Sequence, residues 1–171
     1  MKKNLILTGM MGVGKSMIGK NLGEVLDMQF IDIDNLIEEE ENLSISKIFK
    51  IKGEEYFRKI EKKITLEILK DKNLVIALGG GAFINNEIRE KVLQTSISIW
   101  LYVDEKILFN RLSKSNKRPL LQQENLIKNF KNIYKKRKEI YKLAKFKIDC
   151  NNKEKKIIIK EIKNIYESQY N

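Results

Sequence analysis

The chain is predicted to fold as an α/β domain, a parallel sheet covered by helices on both faces. Short apolar runs near residues 4–8, 29–33, 74–78, 97–103 and 146–149 alternate with stretches whose apolar residues recur at helical spacing. Strands that alternate with helices in this way build parallel sheets with both faces buried. The three least ordinary segments, Gly9–Ser16, Asp32-Ile33-Asp34 and Gly79-Gly80-Gly81, all fall at strand ends, where ligands of such sheets bind.

The first strand, Leu5-Ile6-Leu7, leads into Gly9-Met10-Met11-Gly12-Val13-Gly14-Lys15-Ser16. Ile18, Leu22 and Val25-Leu26 then recur as one face of a helix. This is the phosphate-cradling pattern Gly-x4-Gly-Lys-Ser/Thr in its required strand–loop–helix context. Glycines let the backbone wrap closely around phosphate oxygens, and loop amides and the helix N-terminus supply positive potential. Lys15 reaches the β/γ-phosphates and the Ser16 hydroxyl ligates Mg²⁺. A nucleoside triphosphate is the expected ligand.

Asp32 and Asp34 end the second strand, where a period of two aims both carboxylates to one side. One can hold Mg²⁺ through water while the other accepts a proton from an attacking hydroxyl. Alternatively, Asp34 merely caps a helix beginning at Leu36. Glu38–Glu41 reads as the solvated end of that helix. Gly79–Gly81 follows the third strand, and three successive glycines are costly in entropy and useless for packing. Close approach of the backbone to a substrate or phosphate accounts for them. In the helix predicted over Glu124–Ala144, Arg137 sits on the apolar stripe of Leu126, Phe130, Ile133-Tyr134 and Ile140-Tyr141. It therefore needs an anion, from the protein or from a ligand. Asp104 ends the fourth strand and is read as the cap of a helix over Glu105–Leu112. The polar stretch Ser113–Glu124 holds Pro119, the only proline, and reads as a mobile surface loop. Its Arg118 is placed to fold over the triphosphate.

At 171 residues the chain is expected to form one domain over 1–171, long enough to bury a real core. Its net charge of +11 is unevenly spread. Residues 1–112 hold 17 basic and 17 acidic side chains, whereas residues 113–171 hold 17 and 6. Lys135, Lys136 and Lys138 share one long helix and lack interleaved aromatics aimed at bases or a recognised nucleic-acid module, so a solvated face is favoured over a nucleic-acid surface. No apolar run approaches the ~18 residues of a membrane span. Histidine is absent and Cys150 is the only cysteine, which leaves a carboxylate or lysine as any general base and suggests no disulfide or structural metal cluster. A cytoplasmic protein is the default expectation.

Taken together, Gly9–Ser16, Asp32-Ile33-Asp34, Gly53-Glu54-Glu55-Tyr56-Phe57-Arg58, Gly79-Gly80-Gly81-Ala82, Arg118-Pro119-Leu120-Leu121 and Arg137 before Tyr141 closely resemble the shikimate kinase family, essentially end to end. The resemblance implies a three-layer α/β/α phosphate-loop kinase fold, like the nucleoside monophosphate kinases, with a five-stranded parallel sheet. It also implies a mobile lid at about 113–124 and a substrate-binding helical region at about 34–61. The implied reaction is MgATP-dependent phosphorylation of the 3-hydroxyl of shikimate, on the way to chorismate and aromatic amino acids, by a monomer. By residue, Gly12, Val13, Gly14, Lys15, Ser16 and Met17 would hold ATP, with Arg111 and Lys153 on the adenine side and Arg118 from the lid. Ser16 and Asp32 would serve Mg²⁺, and Asp34 would orient the reacting hydroxyl or act as its base. Arg58 and Arg137 would clamp the substrate carboxylate, Gly79–Gly81 would line its pocket with Gly80 contacting the ring hydroxyls, and Phe49 and Phe57 would wall it. Met17 stands where the family usually has Thr, and Lys153 where it often has Arg, which loses planar stacking over the base. Two other functions are compatible with parts of the pattern. A kinase for another hydroxy acid such as gluconate would also use Arg58 and Arg137. A nucleotide-dependent nucleic-acid binder would use the basic C-terminal third but leave Asp34 and the triple glycine unexplained.

Overall fold

The computed structural model describes residues 2–113 and 126–170. Five parallel strands, β1 (Asn4–Thr8), β2 (Gln29–Asp32), β3 (Leu74–Ala77), β4 (Ser96–Tyr102) and β5 (Phe146–Asp149), form one sheet in the order β2-β3-β1-β4-β5. The helices are α1 (Lys15–Leu26), α2 (Ile33–Glu41), α3 (Ile45–Ile68), α4 (Asn86–Thr95), α5 (Glu105–Ser113), α6 (Leu126–Tyr141) and α7 (Lys155–Ser168), with a short 3-10 turn at Ala82–Ile84. No helix among the described residues is long and apolar enough to cross a membrane.

The central strands β1, β3 and β4 are near-continuous apolar runs because both of their faces are covered. Leu5, Ile6, Leu7, Val75, Ile76, Ile99 and Leu101 are fully buried and form the heart of the core. Polar side chains inside it fix the elements against one another, although the buried Thr8 hydroxyl at the end of β1 has no hydrogen-bond partner among the described residues. The Asn4 side chain donates to the Asp71 carbonyl (2.8 Å) and accepts from Leu74 N–H (3.0 Å), which fixes where β3 begins beside β1. Tyr166 on α7 donates to the Lys3 carbonyl (2.6 Å), docking the C-terminal helix against the start of β1.

The registers bring the functional strand ends level. Leu7 of β1 lies beside Ala77 of β3, and Ala77 lies beside Asp32 of β2. The segments after these three strands therefore open at one height on the same edge of the sheet. β2 ends at Asp32 rather than at residue 33, and α2 starts at Ile33 rather than at Leu36. Asp32 is the N-cap, and its carboxylate accepts from the N–H groups of Asp34 (3.0 Å) and Asn35 (3.4 Å). Asp34 thus belongs to the first turn of a helix. The capping role considered for it falls to Asp32, and the period-two relation between them does not apply. Asp104 stands just before α5, where its carbonyl accepts the Leu108 N–H (3.0 Å) and its carboxylate accepts from the Tyr102 hydroxyl (2.8 Å). Pro119, Arg118 and the rest of the expected lid from 114 to 124 lie outside the described residues.

Cys150, just beyond β5, is buried, and burial pushes its thiol up to about 12, with the Asp149 charge adding to the effect. Thiolate is the reactive form. The native protein at pH 8 is therefore expected to react with a thiol reagent far more slowly than the urea-unfolded chain. Equal rates in the two states would show that the β5 end is open.

Candidate active site

The phosphate loop joins β1 to α1 through Gly9, Gly12 and Gly14, all at positive φ. Gly14 is the N-cap of α1 and offers no side-chain cap, so the first amides of the helix remain for an anion. The Val13 side chain is buried in the core and pins the loop. Lys15 curls over the loop, donating to the Gly9 (2.9 Å) and Met10 (3.0 Å) carbonyls. Ser16 is exposed in the first turn, and Met17 beside it is 53% exposed.

Next to the loop is an open cleft of about 440 Å³. Met11, Asp34, Ile45, Phe49, Phe57, Arg58, Glu61, Gly80, Gly81 and Arg137 line it. Arg58, Glu61, Gly81 and Arg137 also line an adjoining cleft that continues past Ile84 and Asn85. Three helices supply the charged groups, Asp34 from α2, Arg58 and Glu61 from α3 and Arg137 from α6, around the glycine turn after β3.

The reason for three glycines is steric. A Cβ at Gly79 would lie 2.5 Å from Glu61 Oε1 and 2.6 Å from Asp34 Oδ1. One at Gly81 would lie 2.3 Å from Arg58 Nη1. At Gly80 it would be tight against Met11 N at 3.3 Å and in ordinary contact with Arg137 Nη1 at 3.5 Å. The close approach expected from the sequence is therefore made first of all by the protein's own charged side chains.

Arg58 donates to Glu61 Oε2 (2.7 Å) and Glu54 Oε1 (3.1 Å), and its guanidinium lies over Phe57 (5.1 Å) and Phe49 (6.0 Å). Burial lowers its affinity for a proton, but the charges and hydrogen bonds of Glu61 and Glu54 outweigh this and hold it above the ordinary value. Arg137 donates to the Gly80 carbonyl (2.8 Å), and Tyr141 donates to the same oxygen. Among the described residues Arg137 has no carboxylate within ion-pair distance. Tyr141 is fully enclosed, and burial holds its hydroxyl protonated, pushed up to about 12.

Glu61 lines the cleft and Tyr141 holds its glycine turn, places that the sequence reading assigned to neither. Glu61 lies one helical turn beyond Arg58, at the i,i+3 spacing of a pair, and that spacing could have identified it. Its Oε1 is buried without a hydrogen-bond partner. Burial pushes its carboxyl above the usual carboxylate range, Arg58 opposes this, and the Asp34 charge adds to the rise.

The adenine-side expectations concern Arg111 and Lys153. Arg111 is exposed in the last turn of α5, and Lys153 is paired with Glu161 (3.0 Å). The charges of both are felt by Cys150, so the fold does bring them to one end of the molecule. Of the two residues expected to serve Mg²⁺, Ser16 presents an exposed hydroxyl in the first turn of α1, and the Asp32 carboxylate already accepts two N–H groups as the N-cap of α2. Among the described residues no cluster of three or more acidic, His or Cys side chains offers a self-sufficient metal site.

With this geometry in place, the comparisons with known proteins are consistent with one another. A family model described as shikimate kinase matches residues 11–167. A shikimate kinase of Bartonella henselae is 40% identical over 158 residues, 92% of this chain and 75% of that protein. One of Sulfurihydrogenibium sp. is 40% identical over 160 residues, covering 94% of this chain and 95% of its own. The solved shikimate kinase of Acinetobacter baumannii in complex with shikimate superposes with a TM-score of 0.92 at 32% identity, over 98% of this chain and 94% of its own. A gluconokinase from Sinorhizobium meliloti, at 16% identity and a TM-score of 0.57 over 98% of this chain and 95% of its own, shares the fold alone.

Because the folded Glu61 carboxyl titrates above its unfolded value, its contribution to stability is full below the ordinary carboxylate range, about 4. That contribution is lost as pH rises through the folded value. The unfolding free energy of wild type minus that of Glu61→Gln is therefore expected to fall as pH is raised from about 4 to 8. Urea unfolding at several pH values measures it, and a flat difference would show that the carboxyl is unshifted.

Proposed function

We propose, starting from the fact that the chain belongs to the shikimate kinase family, that it transfers the γ-phosphoryl group of ATP to the 3-hydroxyl of shikimate. The observation that carries this reading is one cleft, beside a phosphate loop, in which a carboxylate and two arginines converge on a glycine turn. An acid with ring hydroxyls meets complementary groups there. Arg58 and Arg137 supply bidentate cations for its carboxylate, and Phe49 and Phe57 wall the ring. Asp34, which lines the cleft, would orient the reacting hydroxyl and accept its proton. The Gly80 carbonyl is engaged by Arg137 and Tyr141, so Gly80 would meet an acceptor atom through its N–H.

On the nucleotide side, the Gly12–Met17 backbone cradles the phosphates, and Lys15 exchanges its loop carbonyls for phosphate oxygens. Transfer of this kind depends almost wholly on positioning and charge stabilisation. Mg²⁺, held by Ser16 and through water by Asp32, would supply charge neutralisation across the phosphates. Arg118 would add a further cation from the lid, and Arg111 and Lys153 would flank the base. Lys153 brings a point charge already shared with Glu161 instead of a stacking plane.

The direct test is ADP release from MgATP with shikimate, gluconate, AMP or no acceptor. Turnover with shikimate alone is expected, and turnover only with another acceptor would overturn the carboxylate and hydroxyl assignments. Asp34→Asn is expected to lower kcat by about 10²–10⁴-fold with nucleotide affinity largely kept. Full activity would remove Asp34 from the chemistry. Arg137→Ala should raise the shikimate KM by roughly tenfold to a hundredfold, the loss of a charged hydrogen bond. An unchanged KM would make Arg137 a purely structural ligand of Gly80.

A further inference from the structure

The helix α3 is interrupted at Gly53, whose φ of 84° and ψ of 168° are non-helical. That region is essentially closed to residues carrying a Cβ. Space is not the reason for a glycine, because a Cβ at this position would meet nothing within 4 Å. The backbone angle alone demands it.

What the angle achieves can be read across the break. Phe49 precedes it and Phe57 follows it, yet their ring centroids are 4.8 Å apart. In an uninterrupted helix, residues eight apart are separated by about 12 Å along the axis and about 80° around it. Side chains lean toward the same helix end, so they do not close such a gap. The break folds Phe49 back onto Phe57, and the Arg58 guanidinium then lies over both rings. Ile45 and Phe49 from before the break, and Phe57, Arg58 and Glu61 from after it, line one cleft.

We infer that Gly53 is a positioning residue for the acceptor: its left-handed backbone assembles the Phe49–Phe57 clamp that holds the Arg58 guanidinium toward the substrate carboxylate. Gly53 itself touches no substrate atom. The inference rests on the shikimate reading of the site. It concerns the acceptor half, since the break lies within α3 and the phosphate loop between β1 and α1.

The experiment is steady-state kinetics of Gly53→Ala, Phe49→Ala and the double variant, with shikimate and MgATP varied separately. Gly53→Ala is expected to raise the shikimate KM about tenfold or more, the scale of a misplaced charged hydrogen bond, with the MgATP KM within about twofold. Because both substitutions break one clamp, the double variant should be no worse than the worse single one. Equal rises in both KM values, no rise in either, or multiplying effects of the two substitutions would each overturn the inference. If Gly53→Ala does not fold, Phe49→Ala and Phe49→Tyr in the native background decide it. Alanine should raise the shikimate KM and tyrosine should restore it, and an unchanged KM with alanine would overturn the inference. Wild-type protein that turns over no shikimate would instead sink the functional reading, so the two failures are distinguishable.

Discussion

Everything at the acceptor end depends on packing charged side chains of both signs around one backbone turn. Asp34, Glu61, Arg58 and Arg137 all approach Gly79–Gly81, several within distances that a single Cβ would forbid. Burying charge is expensive unless it is matched. Arg58 and Glu61 match each other at 2.7 Å, and the raised Glu61 carboxyl records how incomplete the compensation is. Arg137 is satisfied through a carbonyl instead of a carboxylate. The cluster is thus held together by its own contacts while keeping two guanidinium groups at the cleft beside the phosphate loop.

The sheet explains why these groups can meet the phosphate loop at all. β3 lies between β1 and β2, and the register puts Leu7, Ala77 and Asp32 side by side. The loop after β1, the glycine turn after β3 and the start of α2 therefore emerge together, although they are far apart in the chain. The helices behind them are docked by matched polar groups, such as Asn4 across β1 and β3 and Tyr166 on the Lys3 carbonyl. Rigid placement of this kind is what phosphoryl transfer asks of a protein, because the covalent chemistry belongs to the substrates.

The basic C-terminal third has a modest physical role in the described structure. Lys142, Lys153 and Lys163 are paired with nearby glutamates, while Lys138 and Lys147 lie over the Trp100, Tyr102 and Tyr134 rings. Such contacts let long side chains cover apolar and aromatic surface with their heads in water.

Arg58 stood out only through the family resemblance, whereas the residues by themselves determined the strand–helix alternation, the phosphate loop, and the identity of Asp34, Gly79–Gly81 and Arg137 as unusual. Each departs from its local period or composition in a way that elementary chemistry can name: an arginine on an apolar stripe, three glycines where one or two make a turn. Boundaries and partners were another matter. That Asp32 caps α2 while Asp34 turns into the cleft depends on a one-residue shift of the strand end, which period-two reasoning cannot see. That Glu61 is a site residue, and that the glycines clear room for side chains of α2, α3 and α6, depends on which helices the crossovers bring together. Local pattern records the preferences of neighbours in the chain. Which distant groups share a cleft is decided by packing of the whole sheet and its helices, and only the tertiary structure contains that information.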